Sequence, residues 1–212
     1  MEKDFNIIIS GVGGQGIITL TRILAEAALI EGKDIKTSEL HGLSQRGGSV
    51  ETHIRFGKEV YSPLVRQAGA DLVISLEAQE ALKSCYYGSR KRTVFLVNDF
   101  IKPIFGAKEI FSSQKIKKEL EKFSKKVILI PATRILKEKL NNPILAGIYL
   151  LGYANCKKLI PLKERSVSKA LGKVIPKEYL SINKQAFNLG KKYESCDCSS
   201  GSRYPDAPSH KK

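Results

Sequence analysis

The stretch that constrains this chain most is residues 5–16, FNIIISGVGGQG, where an apolar run ends in four glycines within six positions. Phe5, Ile7, Ile8 and Ile9 are aromatic or β-branched and favour a pleated, buried strand. The following residues, IITLTRILAEAALIEG, return to helical spacing of the apolar positions. The order is therefore strand, glycine turn, helix. Gly11, Gly13, Gly14 and Gly16 permit positive φ and let another molecule approach bare backbone, while the helix behind them offers unpaired N–H groups at the positive end of its dipole. An anion is the natural guest of such a turn.

Gly11-x-Gly13-x-x-Gly16 has the form of the dinucleotide fingerprint, which also requires an acidic residue near the end of the second strand. Glu39, closing IKTSE, stands at about that spacing. A free-standing nucleotide-binding oxidoreductase is thus one alternative. A dinucleotide fold does not require the next feature, a second glycine-bearing loop at residues 41–48. Within it, Ser44, Gln45, Arg46, Gly47 and Gly48 combine a permanent charge with backbone that can lie close to a ligand or a neighbouring chain. Gln15 and Gln45 add neutral donors and acceptors. Should both loops meet at one sheet edge, they make a basic pocket lined with backbone donors; the simpler alternative is a tight turn whose Arg46 pairs with Glu39 or Glu51.

The rest of the chain keeps a β-α-β rhythm. Residues 50–56 alternate, with Val50, Thr52, Ile54 and Phe56 to one face and Glu51, His53 and Arg55 to the other. Gly57-Lys58 then reads as a turn into residues 59–62, which predicts an antiparallel hairpin there. Residues 70–76, 93–97 and 127–130 are short apolar strands of the covered type, and 78–87 and 112–126 are helices. Residues 143–156, with Asn142 as cap and Pro143 first, form a helix apolar nearly all round, either buried in the core or covered by another subunit. Helices at 163–173 and 176–193 look peripheral. The fold class is α/β: a three-layer sandwich with a mixed, mostly parallel Rossmann-like sheet containing an antiparallel hairpin. One domain is expected over residues 1–193, with C-terminal helices from about 160, and a disordered tail over 194–212.

No apolar run approaches the ~20 residues of a membrane span, and MEKDF lacks a signal peptide's apolar stretch, so a cytoplasmic protein with no membrane contact is expected. The four cysteines show no disulfide framework. Cys196 and Cys198 lack a partner set for a metal and receive no role. A net charge of +15 suits an acidic partner, but the lysines are spread over helices without aromatic interleaving, so solvated faces, and no nucleic acid, are the simpler reading. There is no nucleophile elbow, no P-loop lysine, no metal-spaced histidine and carboxylate cluster and no iron–sulfur cysteine ladder. His53 reads as structural. No catalytic residue and no metal ligand is assigned: the chain is suited to hold an anionic ligand or partner and ill equipped for chemistry alone.

Taken in order, GVGGQGIITLTRILAEAA, HGLSQRGGSVETHIRFG, SPLV with GADLVISLEAQEAL, and NPILAGIYLLG resemble the beta subunit of indolepyruvate ferredoxin oxidoreductases and, more broadly, the gamma domain of 2-oxoacid:ferredoxin oxidoreductases. The resemblance covers about residues 5–155. It implies a small α/β subunit, binding no cofactor alone, paired with a large subunit that holds thiamine diphosphate and iron–sulfur clusters. The complex would oxidatively decarboxylate an aryl-pyruvate, release an aryl-acetyl coenzyme A and pass electrons to ferredoxin. Relatives acting on other 2-oxoacids remain an alternative. The resemblance also implies that the Gly11 to Gly16 turn and the Ser44 to Gly48 loop face the partner near its active site, with coenzyme A as cosubstrate.

Overall fold

The structure, a computed structural model, describes residues 4–42, 47–102 and 111–193. A six-stranded sheet runs β2-β3-β1-β4-β5-β6, built from β1 (Phe5–Val12), β2 (Asp34–His41), β3 (Ser49–Gly57), β4 (Leu72–Ser75), β5 (Val94–Asn98) and β6 (Lys126–Ile130). The β1, β4, β5 and β6 strands are parallel, whereas β3 lies antiparallel between β1 and β2. The sheet is thus mixed and mostly parallel, as expected.

Both faces are covered, and the period of two along β1 sorts its residues between them. Ile7 and Ile9 join a core with α1 (Ile17–Ile30), α4 (Ala132–Leu140), α5 (Ala146–Cys156), α6 (Glu164–Val174) and α7 (Lys177–Lys191). Ile8 joins Val73, Phe95 and Val97 in a second core under α2 (Ala78–Lys83) and α3 (Ser113–Glu121). Residues 132–140, unassigned from the sequence, enter the first core through Ala132 and Leu136, one helical turn apart.

The antiparallel hairpin is not where the sequence placed it. It is formed by β2 and β3, which pair from Asp34 with Gly57 to His41 with Val50, and residues 59–62 form no strand. The reason is that β3 already pairs on both sides, with β2 and with β1, leaving no ladder edge for a returning segment. Side chains hold that segment instead: Asp34 accepts the Val60 N–H at 2.8 Å and Arg55 donates to the Ser62 carbonyl at 2.8 Å.

The apolar helix α5 lies in the core rather than on an open surface, with Leu150, Leu151 and Ala154 fully buried. Pro143 opens a 3-10 turn that leads into it, and Asn142 makes no side-chain cap bond. The last helices are not peripheral. In α6, Val167 and Ala170 are fully buried, and α7 packs on α5 so closely that a Cβ at Gly152 would overlap the Phe187 carbonyl and one at Gly190 the Tyr149 carbonyl. Polar residues dominate both helices in sequence, and the close approach of α7 to α5 falls at Gly152 and Gly190. Among the described residues no helix is long and apolar enough to cross a membrane. The tail expected to be disordered, with Cys196 and Cys198, lies outside the described residues.

Candidate functional site at the carboxyl edge of the sheet

The parallel strands end at one edge, where Val12, Ser75, Asn98 and Ile130 hand the chain to the elements that follow. Open α/β sheets bind ligands outside these carboxyl ends, where strand order reverses. Here that point is β1, flanked by antiparallel β3 and parallel β4.

The glycine turn has distinct parts. Gly11 is buried, and a Cβ there would come within 2.6 Å of the Gln15 carboxamide oxygen, so its bareness serves packing. Gly14 and Gly16 have φ of 99° and 78°, are exposed, and face open space where a Cβ would stand. Gly16 caps α1, and its carbonyl accepts the Leu20 N–H at 3.0 Å. Gln15 is turned inward: Oε1 accepts the Val12 N–H at 2.7 Å and Nε2 donates to the Leu76 carbonyl at 3.2 Å. Its polar groups therefore brace the turn rather than greet a guest.

The two loops do meet. The Gly13 N–H donates to the Gly48 carbonyl at 2.8 Å, and Gly47, at φ 77°, lies beside the Lys102 ammonium, 3.2 Å from where a Cβ would be. Ser44, Gln45 and Arg46 lie outside the described residues. Glu51, one of the suggested partners for Arg46, accepts the Tyr87 hydroxyl at 2.8 Å and stands 3.3 Å from His53 Nε2. Burial and this hydrogen bond hold the Tyr87 hydroxyl well above its ordinary pKa. His53 is buried and its Nδ1 accepts the Val65 N–H at 3.0 Å, consistent with a structural imidazole.

Glu39 is not brought to the glycine turn. It is exposed on the edge strand β2, paired with Thr52, which is itself paired with Ile9. Two strand spacings of roughly 4.8 Å separate it from β1, whereas the dinucleotide arrangement needs the acid on the adjacent strand. The insertion of β3 removes that geometry.

Sequence reasoning missed the brace beneath the edge. Asn98, fully buried, donates to the same Leu76 carbonyl at 3.0 Å and to Thr133 Oγ1 at 2.7 Å. Glu77, 2% exposed, accepts the Glu80 N–H at 2.8 Å and the Lys102 N–H at 3.0 Å. Burial raises its carboxyl pKa, and those N–H groups offset part of the rise. Ser10 Oγ donates to Ser75 Oγ at 3.0 Å, which donates to the Glu77 carbonyl at 2.7 Å. The polar residues closing two of the buried strands, Ser75 of β4 and Asn98 of β5, were the available signal. Among the described residues, no group of three or more His, Cys, Asp and Glu side chains converges as a metal site would require.

The architecture defines an α/β protein whose open glycine turn and second glycine loop share one sheet edge. Its sequence places it more narrowly: residues 6–193 match the pyruvate ferredoxin/flavodoxin oxidoreductase family, and the chain belongs to that family. It is 34% identical to the indolepyruvate oxidoreductase subunit IorB of Thermococcus kodakarensis over 194 residues, spanning 90% of this chain and 96% of that protein. It is 25% identical over 200 residues to the pyruvate synthase subunit PorC of Thermotoga maritima, spanning 93% and 97%. The fold is similar to a chain of the 2-oxoglutarate:ferredoxin oxidoreductase of Magnetococcus marinus, with a TM-score of 0.66 at 21% identity, covering 90% of this chain and 31% of that one.

Proposed function

We propose that this chain is the small subunit of an indolepyruvate-type ferredoxin oxidoreductase. The complex would oxidatively decarboxylate aryl 2-oxoacids to aryl-acetyl coenzyme A and pass the electrons to ferredoxin in the cytoplasm. The observation that carries the reading is the 34% identity to an indolepyruvate oxidoreductase subunit over nearly the full length of both proteins, against 25% to a pyruvate synthase subunit. On this reading the large partner subunit holds thiamine diphosphate and the iron–sulfur clusters, which supply carbanion stabilisation and electron transfer.

The role proposed for this chain is to wall one side of the shared site. Gly14 and Gly16 offer backbone without side chains, and α1, 14 residues long, points its N-terminus the same way. The Ser44 to Gly48 loop and Lys102 add positive charge suited to an anionic group, the coenzyme A phosphates included. Gln15, Asn98 and Glu77 fix the backbone from which these groups project, so that their positions are set before the guest arrives.

The test is reconstitution of the purified chain with its large subunit. Coenzyme A-dependent reduction of ferredoxin by an oxoacid should require both subunits. A large subunit equally active alone, or a pair inert toward every 2-oxoacid, would overturn the reading.

A further inference from the structure

Next to the glycine turn, on the α1 side of the sheet, a cleft of about 470 Å3 opens beside Gln15 and Gly16. Leu20, Leu145 and Ile148 contribute to its floor, and Ile175 and Ile182 to its far wall. Two proline corners shape it. Pro143 begins the 3-10 turn before α5, and Pro176 separates α6 from α7. These corners leave Ile144 and Tyr179 at the cleft, each 57% exposed, and the neighbouring Ile18 of α1 is 46% exposed.

Arg22 lines the same cleft, one helical turn from Ile18. It is exposed, and its guanidinium makes no hydrogen bond or ion pair with another described residue. The next turn of α1 differs, because Glu26 pairs with Lys173 at 2.6 Å. An uncompensated guanidinium therefore stands over an apolar floor, near the positive end of α1.

The exposure of the walls decides what kind of occupant fits. A small-molecule site buries roughly 70–90% of its ligand. Here two of the largest side chains at the cleft are themselves more than half in water, so covering them takes an opposing protein surface. Another copy of this chain is a poor candidate: its net charge is +15, and a two-fold contact centred on the cleft would turn each Arg22 toward its mate. We propose that this cleft seats a segment of the large partner subunit that brings apolar side chains to the floor and a carboxylate to Arg22. The inference rests on the reading of the chain as one subunit of a heteromeric oxidoreductase, and it extends the glycine turn into a docking surface.

The experiment measures the affinity of the full chain for its large subunit, comparing wild type, Arg22→Glu, Ile144→Asp and the control Lys118→Glu. Lys118 is exposed on α3, across the sheet from the cleft, and its substitution makes the same charge change as Arg22→Glu. Arg22 and Ile144 are exposed, so circular dichroism and melting should report an intact fold for both variants. The expected result is a loss of affinity of about tenfold or more for Arg22→Glu and Ile144→Asp, with Lys118→Glu within about twofold of wild type. Hydrogen exchange on the wild-type complex should show protection at residues 17–22 and 143–148. Wild-type affinity in both cleft variants would overturn the docking proposal while leaving the subunit reading intact. Failure of the wild-type chain to bind the large subunit would overturn the subunit reading and this inference with it. A dimer of the chain alone, lost in Arg22→Glu, would overturn it in favour of a second copy.

Discussion

Gln15 is tied to Leu76: its carboxamide donates to the Leu76 carbonyl at 3.2 Å while accepting the Val12 N–H at 2.7 Å, so one side chain joins the glycine turn to the end of β4. A flexible glycine turn needs such a brace if its bare backbone is to stand in one place. Gln15→Ala leaves a buried N–H without its acceptor and should destabilise the protein by about 1–3 kcal/mol in urea unfolding. Gln15→Glu keeps the acceptor and loses the donor, so it should cost less than Gln15→Ala. The reverse order would mean that the Leu76 bond matters more than the Val12 bond.

The α5–α7 contact separates glycines that are needed for space from those that are not. Gly190→Ala sets a methyl against the Tyr149 carbonyl and Gly152→Ala one against the Phe187 carbonyl. Each should cost about 1–3 kcal/mol or more in a thermal or urea melt. At Gly147 the nearest atoms are Leu20 and Leu76 methyl groups at 3.4 and 3.5 Å, ordinary contacts, so Gly147→Ala should stay within about 1 kcal/mol of wild type.

Glu77 gives the carboxyl edge a pH dependence of definite sign. Burial raises its carboxyl above the ordinary 4.5, so the folded protein binds more protons than the unfolded chain as pH rises from 4.5 through the folded value. This group's contribution to stability therefore falls as pH rises through that window. Glu77→Gln removes the titration and turns an amide toward a backbone N–H, which should cost about 1–3 kcal/mol at the acid end. The gap from wild type should narrow toward neutral pH. A gap that widens would show that the hydrogen bonds from Glu80 and Lys102 outweigh desolvation.

The two described cysteines should differ in reactivity. Burial pushes the Cys85 thiol up to about 11 from 9.0, which lowers its thiolate fraction at pH 8 about a hundredfold, whereas Cys156 is exposed. Brief alkylation of the native protein, read peptide by peptide by mass spectrometry, should label Cys156 and spare Cys85. Equal labelling would contradict the partial burial of Cys85 and its raised thiol pKa.

The strands and the glycine turn were legible because their signals are local: β-branched runs at β1, β4 and β5, glycines at a strand-to-helix joint, and alternation along β3. The pairing of β3 was not, because alternation reveals a half-buried strand without naming its neighbours, and the segment after Gly57 competed for an edge that β1 occupies. The burial of α7 was hidden for a similar reason. Its contact with α5 depends on Gly152 and Gly190 meeting backbone from another helix, which hydrophobic spacing does not report. Glu39 satisfied a spacing rule and failed a topological one. At the site, whether the two loops meet was left open by the sequence, and the Gly13 N–H to Gly48 carbonyl bond joins them, while Gln15 was read as a ligand donor although its reach to Leu76 makes it a brace.

Substrate preference is read by comparing kcat/KM for indolepyruvate, phenylpyruvate, pyruvate and 2-oxoglutarate in the complex reconstituted from this chain and its large subunit, with ferredoxin as acceptor. The two aryl-pyruvates should lead by about tenfold or more, and the activity should fall with Arg46→Ala or Gly14→Val. Preference for pyruvate or 2-oxoglutarate, with both variants unchanged, would contradict the proposed function.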